Sequence, residues 1–474
     1  MRLRGVLLLA ATASVGVLLM LAGPASAANL HCGQTLTSSV TLIGNLDCSG
    51  YILGPAITIG HDGVTLSLNG YKITGGPGEP VVDVDGYNSA TIKGGTLAVT
   101  GGGKGIYNHA GGNGLTVAGV TIAGDSSSTA SYGIDSDDSD TGLSVTGGSI
   151  SGVYFGIYLY GNTGALIKGN KFTEYDGAYS VYSGGDMTGT QIVSNTFSEA
   201  SGDTNFGYAY YGDTDAGTLF SGNTVTGYYY GVYDEAYSAG LTVTGNVIDG
   251  NNEGIHFNEY GSGDMVAGNY IKNSVGAGIE DIDSFNDTYN GNVLTSNGAT
   301  SNSESYYIAP DGFGPVTMVN NYARTGNGYG FFVFEAYNAS VPGGPYSLFS
   351  GNVATANGSA DDPAFYDEYS VGATWSKNVS NSNNYDGFDF CAPWRETVTG
   401  NSANLNGGDG YDFEYDCDTF TDTPENEQPL AVTNNSATNN GGYGFEGEYP
   451  TAGSGNTGSK TNADGDCYLV AGCS

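Results

Sequence analysis

An asparagine that returns at intervals of 23 to 31 residues constrains this 474-residue chain more than any other feature. It stands at Asn170, Asn195, Asn223, Asn246, Asn269, Asn292, Asn321, Asn352, Asn378 and Asn401, most often in a Gly-Asn step. Between these positions lies a second element, a small residue followed by an apolar one, as in Gly156-Ile157, Gly207-Tyr208, Gly231-Val232, Gly254-Ile255, Gly278-Ile279, Gly330-Phe331 and Gly387-Phe388. Short runs such as Val64 to Leu68 and Leu241 to Val243 alternate apolar and polar residues, the pattern of a strand with one buried face. Strands of three to five residues cannot stand alone. If each period makes one coil of a parallel solenoid, the inward residues of successive coils stack into a continuous core. The asparagine then has a physical role. At a tight corner it takes a left-handed backbone and pairs its amide with the next asparagine one coil along, ~4.8 Å away. Helical alternatives are disfavoured because 80 of the residues are glycine, each costing ~1 kcal/mol inside a helix. Disorder is excluded by a 39% hydrophobic content that includes 36 Tyr and 18 Phe.

The segment from Cys32 through Asn45 to Cys48, followed by Ile57-Thr-Ile-Gly-His61 and the run to Gly75, resembles the opening coils of secreted bacterial β-helix repeat proteins. These belong to the right-handed parallel β-helix family, the pectate-lyase-like superfamily in the broad sense. The resemblance implies an all-β chain: a single right-handed parallel β-helix of about 14 coils with disulfide-capped ends, with coils repeating at ~4.8 Å. Residues 1–27 read as a signal peptide, basic, then apolar, then Ala25-Ser-Ala27; residues 28–474 form the β-helix, with caps at 28–60 and 451–474. The expected location is therefore secreted or extracellular. Six cysteines fit an oxidising compartment. Short closures favour Cys32 with Cys48, Cys391 with Cys417, and Cys467 with Cys473, although sequence alone leaves the connectivity open.

A formal charge of −37, with only 12 basic residues, excludes nucleic acid as a partner, since no cluster of Lys and Arg can displace its counterions. No second long apolar run follows the signal, so membrane insertion is not expected. The expected partner is a polysaccharide or cell-surface glycan, and a polyanionic one would need a bridging divalent cation.

If the apolar residue after each repeat glycine points inward, the next points out. That rule gives an outward column of Tyr107, Asp135, Tyr158, Ala209, Tyr233, His256, Glu280, Phe332, Asp389, Asp412 and Glu446. Tyr160, Glu235 and Glu414 fall two residues beyond it. Aromatic rings can pack on sugar faces while carboxylates accept hydroxyl hydrogen bonds, so Tyr158, Tyr160, Tyr233, Phe332, Glu235 and Glu414 are the expected glycan contacts. Asp389 and Asp412, 23 residues apart, fall one coil apart at a separation suited to paired carboxylates. His256 falls beside Glu280, where a carboxylate would raise the imidazole pKa. These four residues are the candidate catalytic groups. The run Asp135, Asp137, Asp138 and Asp140 is the candidate Ca²⁺ site, and Ca²⁺ the only cofactor suggested.

No catalytic motif transfers from the family. The polygalacturonase motifs Asn-Thr-Asp and Arg-Ile-Lys are absent, and no Lys or Arg falls in a lyase motif. The β-helix proteins of nitrous oxide reductase maturation are associated with copper, but five Met and four His form no soft-ligand cluster in this sequence. The leading expectation is a secreted β-helix that contacts extracellular or cell-wall polysaccharide through an aromatic and acidic face. A glycoside hydrolase or Ca²⁺-dependent lyase, and a structural or adhesive rod, remain open alternatives.

Overall fold

The computed structural model describes residues 26–473 except 127, 138, 175–176, 200–205, 236, 259, 300–302, 312, 337–345, 360, 415–429, 448–451, 460 and 471. The described chain is a single parallel β-solenoid of about 15 turns without a helix. Each coil contributes short strands to three ladders. One coil runs through Tyr230–Asp234, Thr242–Thr244 and Val247–Asp249, and the next through Glu253–Asn258, Met265–Ala267 and Tyr270–Lys272. Every strand pairs in parallel with its counterpart one coil away, so Val232 meets Ile255, Val243 meets Val266 and Ile248 meets Ile271. All six are fully buried, and the same alternation repeated coil after coil makes one continuous core. Two ladders share the eight-residue strands Thr91–Ala98 and Thr116–Ala123, and the third forms a separate face.

In the C-terminal third the core is a column of aromatic rings. Tyr306, Phe331, Phe365, Phe388, Tyr411 and Phe445 stack with centroids 4.6 to 4.8 Å apart. The coil spacing sets this distance, and it suits ring-on-ring contact worth ~0.5–1.5 kcal/mol per pair beyond burial.

The asparagine ladder is present and longer than the sequence repeat suggested, running from Asn170 to Asn456. Asn246 donates its backbone N–H and its Nδ2 to Asn269 Oδ1, each at 2.9 Å, and Nδ2 also reaches Phe220 O at 3.0 Å. Asn435 and Asn456 continue the series beyond Asn401. Their place was hidden in the sequence because the 34 residues from Asn401 to Asn435 exceed the usual period. The backbone role expected of the ladder residue needs correction. The left-handed residue is its predecessor: Gly245 has φ 64°, Gly268 62°, Ser194 57° and Lys377 57°, whereas none of the ladder asparagines has a positive φ. The preceding residue makes the turn, which leaves the asparagine side chain pointing into the corner, where it satisfies buried backbone groups.

Parallel pairing is already established in the segment expected as the N-terminal cap, where Gln34–Leu36 pairs with Ile57–Ile59. Disulfides join Cys32 to Cys48 and Cys467 to Cys473, with Cα atoms 5.7 and 6.2 Å apart. Cys391 is fully buried, and Cys417 lies outside the described residues. Among the described residues no helix is long and apolar enough to cross a membrane.

Candidate functional site

The outward column lies on the separate face, and strand register fixes its order. Asp135 pairs with Tyr158, then follow Tyr182, Tyr211, Tyr233, His256, Glu280, Tyr307, Phe332, Tyr366, Asp389 and Asp412. Ala209 does not belong to it. Ala209 is fully buried and Tyr211 takes the outward place, because Tyr208, rather than the residue after it, pairs with Tyr230. Tyr182 escaped the glycine rule because Ser180 holds the position that glycine holds in neighbouring coils.

A second outward column runs three residues upstream of the first. Each strand bends at a small residue, so that Tyr230 and Tyr233 both face out while Gly231 and Val232 are buried. At Gly254 the bend brings the next coil so close that a Cβ would collide with Gly278 O. Strict alternation cannot foresee this out-in-in-out order. It aligns Tyr132, Phe155, Tyr179, Tyr208, Tyr230 and Glu253 beside the first column.

The two columns form a ridge of stacked rings. Tyr182 lies between Tyr158 at 4.8 Å and Tyr211 at 5.1 Å, with interplanar angles of 9° and 11°. Tyr211 in turn stacks on Tyr233 at 5.4 Å, and Tyr233 on His256 at 5.0 Å and 10°. Beside them Tyr179 lies between Phe155 at 5.1 Å and Tyr208 at 4.7 Å. Rings of the two columns meet edge to face, as in Tyr208 with Tyr211 at 88°. The stack thus consumes the ring faces of these half-buried side chains, and the Tyr233 hydroxyl accepts a hydrogen bond from Asn258 Nδ2 at 3.1 Å. Both faces of Tyr182 and of Tyr211 are covered by neighbouring rings. Burial pushes the phenols of Tyr158 and Tyr179 up to about 12, so they stay neutral, and Glu235 adds to the rise at Tyr179. Tyr160 is 50% exposed and stacks only loosely on Tyr158, at 6.5 Å.

At its C-terminal end the ridge meets a charged group. His256 Nδ1 lies 2.7 Å from Glu253 Oε2 and 3.5 Å from Glu280 Oε2, the two carboxylates coming from adjacent coils. Burial opposes the imidazolium, but hydrogen bonds to Glu253 and Glu280 outweigh it and raise the pKa to about 9. Burial also raises Glu253, whereas His256 overcomes the same effect at Glu280 and holds that group below the usual range. Glu253 was not foreseen. Its only sequence signal is the three-residue step to His256, the same step that separates Tyr230 from Tyr233.

Further along the face, Asp389 and Asp412 are partners in register, as their spacing predicted. Burial, reinforced by Glu414 and then by Asp412, pushes Asp389 far above the ordinary carboxylate range, and its Oδ1 is buried without a hydrogen bond. Asp412 rises to about 7, first by burial and then through Glu414. Phe332 sits between Tyr307 and Tyr366, each 5.1 Å away.

Three of the four candidate Ca²⁺ residues have other partners. Asp135 binds Lys104 Nζ at 2.6 Å, while Asp140 is inside the core, accepting hydrogen bonds from Asn108 and Ser136. Asp137 accepts from Tyr107 at 3.4 Å, and Asp138 lies outside the described residues.

A family profile described as the periplasmic copper-binding protein NosD matches residues 88–312, a little under half the chain. Comparison with curated proteins gives no match. Among solved structures, the tailspike protein of E. coli bacteriophage HK620 in complex with a pentasaccharide is 15% identical, with a TM-score of 0.47 over 89% of this chain and 73% of its own. The Dettilon tailspike protein is 13% identical with a TM-score of 0.38 over 74% of this chain, which spans only 62% of that protein. A mutant of the periplasmic alginate epimerase AlgG is 12% identical, with a TM-score of 0.35 over 87% of this chain and 78% of its own. The coil-on-coil parallel pairing of the described strands gives this chain the parallel β-helix fold.

Proposed function

We propose that this chain is an exported β-helix protein, with residues 1–27 as its signal, that binds extracellular polysaccharide along the tyrosine ridge. The observation that carries this reading is the pair of stacked columns from Tyr132 to Tyr233, which repeats half-buried rings, phenols at every place but Phe155, at the coil spacing of ~4.8 Å. A periodic row of neutral groups that both donate and accept suits a regular polymer of hydroxylated units better than a compact ligand. Glu235, close enough to raise the pKa of Tyr208, adds an acceptor at the edge of the row. Tyr160 supplies an exposed ring and Glu414 a carboxylate further along.

Recognition by hydroxyls differs from recognition by ring faces in one testable respect. The double variant Tyr182→Phe/Tyr211→Phe keeps the stack and removes two hydroxyls. We expect its affinity for a polysaccharide that the intact protein retains in affinity electrophoresis to fall at least tenfold, with the thermal midpoint unchanged. Unaltered retention by the double variant, or no retention of any glycan by the intact chain, would refute the reading.

An enzymatic reading is favoured by one observation, the imidazole held between two carboxylates at the end of the ridge. There His256 would exchange a proton with a glycosidic oxygen while Glu280 keeps it oriented. Asp389 and Asp412 are the alternative acid pair. Release of reducing or unsaturated ends that stops in His256→Ala but persists in Asp412→Asn would assign catalysis to the first group. Among the described residues of the matched segment, the copper binding in the family's description finds no soft donor set. Met187 is buried in the core with its sulfur accepting the Asn162 N–H, and Met265 lies exposed on another ladder.

A further inference from the structure

The group at the end of the ridge has a geometry that a proton-sharing cluster does not require. Glu253 Oε2, His256 Nδ1 and Glu280 Oε2 all lie within 4.8 Å of one another. The two separations from Nδ1, 2.7 and 3.5 Å, bracket the edge of a coordination tetrahedron, roughly 3.4 Å for metal–ligand bonds near 2.1 Å. The three side chains are only 10 to 23% exposed, so a bound ion would be shielded from water on the protein side. The imidazole plane is fixed by Tyr233 stacked upon it and by Tyr230 at its edge, 5.2 Å away, which limits the reorganisation that binding would demand. Charge points the same way. Two carboxylates share a single imidazole, and a third, Glu304, is close enough to feel Glu280. Among the described residues no Lys or Arg forms an ion pair with any of the three carboxylates.

We propose that Glu253, His256 and Glu280 form a divalent-metal site of the Zn²⁺ or Mn²⁺ type, with three protein ligands and its remaining coordination positions open to water or a saccharide oxygen. One nitrogen and two carboxylate oxygens suit borderline ions, whereas Ca²⁺ prefers six to eight oxygens and disfavours the imidazole. Three protein ligands with an open position is the arrangement of sites that bind an exogenous ligand rather than brace a fold. In the setting of the polysaccharide reading, on which this last step rests, the ion would supply the positive charge that a strongly acidic chain lacks and would admit sugars bearing carboxylates.

Isothermal titration of the EDTA-treated full chain with Zn²⁺, Mn²⁺ and Ca²⁺ tests the site without any glycan. One equivalent of Zn²⁺ or Mn²⁺ should bind more tightly than Ca²⁺. His256→Ala and Glu280→Gln should each lose at least tenfold in affinity, while Asp186→Asn, an exposed acid elsewhere, should bind as the parent does. Circular dichroism identifies any variant that fails to fold, and the near-isosteric Glu253→Gln then stands in for it. No stoichiometric binding, or equal affinity in the His256 and Glu280 variants, overturns the proposal. Retention of polygalacturonate, measured with and without Zn²⁺, separates the two readings. Binding of neutral glycan without metal binding leaves the ridge intact and removes the metal site, and metal binding without retention of any glycan does the reverse.

Discussion

Two stretches of one outward column meet the same spacing with opposite consequences. From Tyr158 to Tyr233 the column stacks rings face to face at 4.8 to 5.4 Å, a distance at which aromatic surfaces attract. From Asp389 to Asp412 the same register places carboxylates one coil apart, and Asp386, Asp409, Glu414 and Glu446 gather round them. Burial opposes ionisation most and repulsion between like charges at that range adds to it, so the group moves towards neutrality: Asp386 rises to about 6, Asp412 to about 7 and Asp409 to about 8. A β-helix thus amplifies whatever residue it repeats. The amplification stabilises when neighbouring coils attract and destabilises when they repel.

The largest expected effect comes from pH. An aspartate whose pKa is raised in the fold stays protonated there after the unfolded chain, near 3.9, has ionised. Its stabilising contribution is therefore present below about pH 4 and is lost as pH rises through the folded value. The interior acids Asp215, Asp281 and Asp367, each held near 6 by burial, act in the same direction. Unfolding monitored by circular dichroism should show a higher midpoint at pH 5 than at pH 8, by several kcal/mol in stability (~1.4 kcal/mol for each pKa unit). The double variant Asp389→Asn/Asp412→Asn should gain stability at pH 8 and little at pH 5, with a residual pH dependence left by the interior acids. A loss at pH 8 would mean that the carboxylates are neutralised by something other than protons, and the contrast between the two stretches would fail.

A smaller effect is expected in the ring stack. Tyr211→Ala removes a half-buried ring and two stacking partners, with an expected cost of about 2–3 kcal/mol in denaturant unfolding, below the range for a fully buried ring. A cost under about 1 kcal/mol would mean that the ridge is held by backbone pairing alone. The smallest effect belongs to Tyr182→Phe, expected to change stability by less than about 0.5 kcal/mol, since stacking and burial survive the loss of one hydroxyl. A larger change would place the Tyr182 hydroxyl in a structural contact and remove it from the proposed binding row.

How far the site was legible depended on how local its cause was. Tyr158, Tyr233, His256, Glu280, Phe332, Asp389 and Asp412 were all assigned to one outward column, because each follows a glycine and an apolar residue within its own strand. Tyr182 was missed because serine replaces that glycine. Tyr211 was displaced by Ala209 because Gly207 precedes the bend instead of forming it. Glu253 and the whole second column were missed because alternation carries no signature of a strand that shows two neighbouring residues to the interior. The ladder asparagines were legible as a series, but the left-handed turn belongs to the residue before each.

The period of the asparagines by itself determined that the chain is a parallel solenoid, since short half-buried strands can bury their apolar faces only by stacking at a fixed interval. The residue that follows each glycine and apolar pair placed aromatic and acidic residues on one face. Which side chains touch was decided only by the tertiary structure. Contact between coils depends on register and on the bend in each strand, and both follow from the packing of every coil against its neighbours. That packing turned the tyrosine faces against one another and brought Glu253 and Glu280 to the same nitrogen of His256.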